Sequence, residues 1–168
     1  MANLIRQHKL IDNNKRALIK YVIVSDGTNE ANTRLVDASM LQYSLNTNGY
    51  IMTGNTDARS YYRTNIKRIF GNAITDGYVK LQWEGSTNSE IVVFGSGSFD
   101  YDFQSSSGDV AVFTNPEASP TGDILISTKG LNANSAVTIF LDIRKDSRDY
   151  DAGQTADPVA FNRGPAAP

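Results

Sequence analysis

Along most of this chain apolar residues fall at every second position, and that period of two constrains the fold more than any other feature. From Lys15 to Ser25, Ala17, Ile19, Tyr21 and Ile23 take one face and Leu18, Val22 and Val24 the other. This predicts a strand buried on both sides; β-branched Val22, Ile23 and Val24 disfavour a helix there. Arg34 to Leu41, Tyr62 to Ile74 and Tyr78 to Glu84 continue the pattern, the last with Val79, Leu81 and Trp83 between Lys80, Gln82 and Glu84. The intervening Asp76-Gly77 pair reads as a hairpin turn. Glu90 to Gly95 is a short apolar strand, and Ser98 to Phe103 sets Phe99, Tyr101 and Phe103 opposite Asp100 and Asp102. Asp109 to Phe113 is weaker. Asp123 to Lys129 and Ala136 to Arg144 are strong, the latter with Val137, Ile139, Leu141 and Ile143 on one face. With no amphipathic helix to pack against, these strands predict a mostly β chain, an antiparallel β-sandwich or jelly-roll-like barrel with extended N- and C-terminal arms.

Three segments lack the alternation. They are an N-terminal arm over residues 1–14, a polar loop over 42–61 rich in Asn and Gly, and a C-terminal tail over 146–168 ending in Gly164-Pro165-Ala166-Ala167-Pro168. They leave a β-sandwich domain over 15–145. Loops this long are usually functional or disordered. Their apolar and aromatic residues are costly to leave in water, so they become candidate contacts to other chains. The candidates are Leu4, Ile5, Arg6 and Lys9 of the arm, Tyr43, Tyr50, Ile51, Arg59 and Tyr61 of the loop, and Tyr150 and Phe161 of the tail.

Composition narrows the function classes. A length of 168 residues fits one domain. The absence of cysteine excludes disulfides, thiolate metal sites and a cysteine nucleophile, and a single histidine excludes a multi-histidine metal centre. A net charge of −2 argues against nucleic acid or an anionic membrane as the main partner. The charge is uneven: residues 1–84 hold 11 basic and 7 acidic side chains, or +4, and residues 85–168 hold 5 and 11, or −6. Opposite halves attract, within a chain or between neighbouring copies. No apolar run is long enough for a membrane helix, and Met1 to Leu10 lacks the apolar middle of a secretory signal.

No constellation of residues spells out a reaction. His8 stands in a polar arm, without the fixed serine and acid that a hydrolase triad needs. Gly95-Ser96-Gly97-Ser98 lacks the lysine and following helix of a phosphate loop, and reads as a bend between strands. Asp100 and Asp102, and the group Asp146, Asp149 and Asp151, lack calcium-loop spacing and read as solvated acidic surface. Tyr43, Tyr50, Tyr61 and Tyr62 gather near Arg59 and Arg63, a mixture able to stack on sugars or bases or to form a protein interface. Without a basic excess the interface reading is preferred. The expectation is a non-enzymatic protein with no cofactor and no metal.

The order of motifs adds a resemblance. Asn14-Lys15-Arg16-Ala17-Leu18-Ile19-Lys20 runs into Ser25-Asp26-Gly27-Thr28-Asn29-Glu30 and Asn32-Thr33-Arg34-Leu35-Val36-Asp37. Later come Val79-Lys80-Leu81-Gln82-Trp83-Glu84 and a closing hairpin of Thr121–Thr128 with Val137–Lys145. Over roughly residues 14–145 this resembles the small virion structural proteins of tailed bacteriophages, especially those of marine and cyanobacterial phages. The resemblance implies a β-rich capsid decoration or cement protein, often a trimer, that binds the major capsid protein or other virion proteins and is assembled in the host cytoplasm. A neck or tail component, or a receptor- or glycan-binding module at the tail, is the alternative.

Overall fold

Segments rich in Val, Ile and aromatic residues, separated by Gly, Asn and Asp, form ten strands in a computed structural model that describes residues 3–52, 57–103, 113–116 and 120–150. In chain order these are β1 (Leu4–Asp12), β2 (Arg16–Asp26), β3 (Thr33–Val36), β4 (Thr64–Ile74), β5 (Tyr78–Trp83), β6 (Ser89–Phe94), β7 (Gly97–Asp102), β8 (Phe113–Thr114), β9 (Ile124–Lys129) and β10 (Ala133–Lys145), with one 3-10 turn at Ala38–Met40. All pairings are antiparallel. One sheet runs β1-β2-β10-β4-β7, with β8 also on β4, and the other runs β3-β9-β5-β6. The mostly β expectation holds, and between the two closures offered the result is the sandwich.

The inner faces meet as the alternation requires. Ala17, Ile19, Tyr21 and Ile23 of β2, Ile66, Ile69 and Ala73 of β4, and Val137, Ile139, Leu141 and Ile143 of β10 pack against Val79, Leu81, Trp83, Ile124 and Ile126. Polar and aromatic contacts cross the same gap: the Tyr21 hydroxyl donates to the Leu35 carbonyl at 2.7 Å, and the Phe94 and Phe99 rings stack with centroids 4.0 Å apart. Within the larger sheet, Gly71 lets β4 lie against β10, because a Cβ there would be 2.0 Å from the Thr138 carbonyl oxygen.

Several expectations need correction. Leu4–Asp12 is not a free arm but an edge strand, paired residue by residue from Leu4↔Val24 to Asp12↔Ala17, with a bulge at Leu10. Asn13 makes its turn, accepting from the Lys15 and Arg16 amides through its side chain. The second face of β2 is half-buried or exposed, because nothing among the described residues covers the outer side of that sheet. Asp76-Gly77 does not close a hairpin: β4 and β5 lie in different sheets, so the turn is a corner of the sandwich. The same holds for β9 and β10, read as a closing hairpin. Turn residues specify a reversal of the chain, not which sheet the next strand joins. Residues 109–112 and the tail beyond Tyr150 lie outside the described residues.

Leu141, fully buried at the centre of β10, tests this packing. Leu141→Ala is expected to lower stability by about 2–5 kcal/mol in urea titrations, the usual cost of a large truncation in a packed core. A change below about 0.5 kcal/mol would be the signature of a surface position.

Candidate functional site

The segment expected as a free loop is tied to the body by one buried carboxylate. Asp149 is completely buried and takes both oxygens to the loop side. Oδ2 accepts from the Arg63 amide at 2.8 Å and from Arg63 Nη1 at 3.0 Å, and Oδ1 accepts from Arg59 Nη1 at 3.1 Å. Arg59 then reaches the carbonyls of Asn46 and Arg148 at 2.8 Å each. Backbone contacts follow: the Leu45 amide donates to the Asp149 carbonyl, and single bridges join Ser44 to Tyr150, Leu45 to Ile51 and Asn46 to Ala58. Tyr62 and Tyr150 seal the inner side with ring centroids 5.6 Å apart, their hydroxyls donating to the Leu45 and Ala38 carbonyls. Gly122 admits this junction, since at φ +82° a Cβ would lie 2.5 Å from the Tyr62 carbonyl oxygen.

A second buried charge ties β1 to the same region. Lys145 continues the inward parity of Ile143, and its Nζ donates to Asp12, to the Asn13 carbonyl at 2.7 Å and to the Gln42 carbonyl at 2.9 Å. Burial pushes its ammonium below the ordinary lysine range, against the pull of Asp12. All three donors of the group are thereby used.

Beside these ties lies a groove of about 360 Å³ between the edge strands β1 and β3, lined by Gln7, Lys9, Leu35, Val36, Met40 and Leu41. Lys9 straps it, donating to the Met40 carbonyl at 2.9 Å and pairing with Asp12 at 3.1 Å. Arg34 on the rim gathers three carboxylates, with Nε 3.1 Å from Asp123, Nη2 2.9 Å from Glu84 and Nη1 3.6 Å from Asp37. Asp123 also accepts from the Ala38 amide at 2.8 Å. Burial pushes the Asp123 carboxyl up to about 7, opposed by that amide and by Arg34 and assisted by Asp37. Among the described residues no group of three or more His, Cys, Asp and Glu side chains is placed to hold a metal ion, and no helix is long and apolar enough to cross a membrane.

The candidate contact residues therefore separate. Tyr150 is wholly buried in the core and cannot serve as an exposed anchor, a correction forced by the Asp149 tie that draws the chain inward. Arg59 and Lys9 hold internal carbonyls and carboxylates, Ile5 packs on the core, and Ile51 is half-buried against Leu45. Tyr61 is half-buried with the Arg63 guanidinium 5.0 Å over its ring. Leu4, Arg6, Tyr43 and Tyr50 stay exposed, and Phe161 lies outside the described residues. Asp149, expected on a solvated acidic surface, is instead the most enclosed carboxylate of the site. Its partners lie 86 and 90 residues away, so no local pattern announces it. Lys145 was detectable, because its position keeps the parity of Val137, Ile139, Leu141 and Ile143.

Compared with protein-family models, with curated proteins and with solved structures, the chain finds no match in any of the three.

The Asp123 shift has a sign that can be measured. The folded chain keeps this carboxyl protonated up to about pH 7, whereas the unfolded chain loses the proton in the ordinary carboxylate range near pH 4. The folded state thus binds the extra proton between those values, and its stability falls as pH rises through the window. Asp100 and Asp146, held low by Arg68 and Arg148, act in the opposite sense and only in acid below that window. Urea titrations are expected to show a decline of about 2 kcal/mol from pH 5 to pH 8 that Asp123→Asn removes. An equal decline in both proteins would refute the assignment.

Proposed function

We propose that this chain is a non-enzymatic structural protein of a tailed-bacteriophage particle, a decoration or cement protein that binds the major capsid protein and stabilises the head shell. The reading rests on the order of motifs over residues 14–145, which resembles that class of small virion proteins. One structural observation supports it best: the enclosed charges are spent on fastening the chain to itself. Asp149 is spent on Arg59 and Arg63, Lys145 on Asp12 and two carbonyls, and Asp142 on Arg16 through two bonds of 2.7 and 2.8 Å. These ties make a rigid tile whose remaining resource is its surface, which suits a protein that works by contact. In this reading the chain forms homo-oligomers, a trimer being the form the resemblance implies, and takes its place in the virion after assembly in the host cytoplasm.

A neck or tail component, or a glycan-binding module at the tail, is the second reading. It draws on Tyr43 and Tyr50, exposed aromatic rings on the amide-rich loop. Sugars stack on such rings.

Copy number separates the two. Quantitative mass spectrometry of purified particles should find the protein in hundreds of copies if it decorates the head. A small multiple of three or six would move it to the neck or tail, and its absence from washed particles would end the virion reading.

A further inference from the structure

The two sheets differ in width, and the mismatch falls at β1. The larger runs β1-β2-β10-β4-β7 and the smaller β3-β9-β5-β6. Tyr21 of β2 reaches the Leu35 carbonyl of β3, and Phe99 of β7 stacks on Phe94 of β6, so the facing pairs begin at β2 and end at β7. β1 is left with no strand beneath it among the described residues. Its inward parity, Ile5, Gln7 and Lys9, overhangs the smaller sheet, and the groove of about 360 Å³ is the space below.

That space has the form of a missing strand. β3 pairs with β9 through Thr33, Arg34 and Val36, and among the described residues no strand lies along its other edge. The groove floor is apolar: Leu35, Val36 and Leu41 are buried, and Met40 is 55% exposed. Both ends are closed. At one, Lys9 holds the Met40 carbonyl and Asp12 accepts from the Gln42 amide at 3.1 Å. At the other, Asn3 donates to the Thr28 carbonyl at 3.0 Å and to Glu30 at 2.7 Å. What fits between them is a short extended segment, about as long as the four residues of β3, with apolar side chains at alternate positions.

The chain's own C-terminal tail is aimed at this space. Tyr150 bridges Ser44 in antiparallel sense and the Leu45 amide donates to the Asp149 carbonyl at 2.9 Å, so at Tyr150 the chain points back along residues 43 to 40, toward the groove. Ser44 stands eight residues after Val36, and the 3-10 turn between them shortens that path. Pro158 likewise stands eight residues after Tyr150, so the tail is long enough to return to β3. From there Val159 and Phe161 alternate with Ala160 and Asn162, bounded by Pro158 before and Gly164-Pro165 after. Apolar residues at period two between breakers are a strand signal, and Pro is tolerated at the start of an edge strand.

We propose that residues 159–162 of the tail seat in the groove as a fifth strand of the smaller sheet, antiparallel to β3, with Val159 and Phe161 on its apolar floor. The tail passes over the solvent side of the Lys9 strap. Main-chain pairing with the β3 edge supplies the attachment, and the two apolar side chains fix its register, since a slip of one residue would turn both to water. The seated strand also covers an edge that would otherwise be open to pairing with another chain. The inference does not rest on the virion reading, which could fail while the tail still docks.

A nitroxide on the full chain tests it, attached through Asn162→Cys, since the sequence has no other cysteine. The label is expected to broaden the amide resonances of Gln7, Arg34, Val36 and Met40 while those of β6, at the far side of the same sheet, stay sharp. Chains carrying the nitroxide but no isotope, mixed with isotope-labelled chains lacking it, should show no such broadening, because each tail serves its own body. Phe161→Asp in the labelled chain should reduce the broadening by about tenfold or more. Phe161→Leu should retain it, with circular dichroism unchanged in both. Weak broadening spread over the whole surface overturns the proposal, as does broadening at the groove that Phe161→Asp leaves untouched. Broadening that survives in the mixed sample assigns the groove to a neighbour's tail and overturns the same-chain occupant.

Discussion

β10 is hydrogen-bonded along both of its edges, and the larger sheet is built outward from that strand. Its residues from Ala136 to Arg144 pair with β2 on one side, and residues 136 to 145 pair with β4 on the other. Four side chains of its inner face, Val137, Ile139, Leu141 and Ile143, are buried at the centre of the core. A strand bonded on both edges and packed on one face has little freedom of register, because a slip of one residue would turn those four side chains to the outside. The bulge opposite Asp142 and Ile143 absorbs the one mismatch between β10 and β4.

Around this frame, buried ions decide where the irregular segments go. Lys145, at the end of β10, holds Asp12 at the end of β1 and the carbonyl of Gln42 where the loop begins. Asp149, four residues on, holds Arg59 and Arg63 where the loop returns to β4. Replacing such a pair by apolar residues often costs nothing, but removing one partner leaves an uncompensated charge in the interior at about 3–5 kcal/mol. The interactions thus act less as net stabilisers than as addresses: a misplaced loop strands Asp149, and a frayed edge strand leaves Lys145 without Asp12.

What the sequence revealed follows the same division. The strands that contribute to the core were legible because a half-buried strand must alternate, and β10, β2 and β5 do so without interruption. β1 was missed because Leu4, Arg6 and His8 alternate with Ile5, Gln7 and Lys9, a pattern with little apolar contrast, as suits an edge strand beside an open groove. A signal for it was present in Asp12-Asn13-Asn14-Lys15, which is turn chemistry between two extended segments. The Asp149 tie was not legible at all, since it joins residues far apart in sequence that share no periodic relation. Nor does a turn pair such as Asp76-Gly77 tell whether the next strand stays in the sheet or crosses to the other. Of the proposed contact residues, those on regular strands could be sorted by parity, whereas Tyr150 and Arg59 could be placed only once the partners of Asp149 were known.

The central claim is that the loop and the turn at 146–150 belong to the same cooperative unit as the strands. Native-state hydrogen exchange on the full chain measures this directly. The Leu45 amide donates to the Asp149 carbonyl, the Arg63 amide to the Asp149 side chain and the Tyr150 amide to the Asp146 carbonyl. Amides that open only with global unfolding share one free energy of exchange. These three should exchange with the free energy measured for the amides of Ile139 and Leu141 at the centre of β10. Exchange at the rate of an open loop, while β10 stays protected, would show that the segment is an appendage and that Asp149 does not hold it.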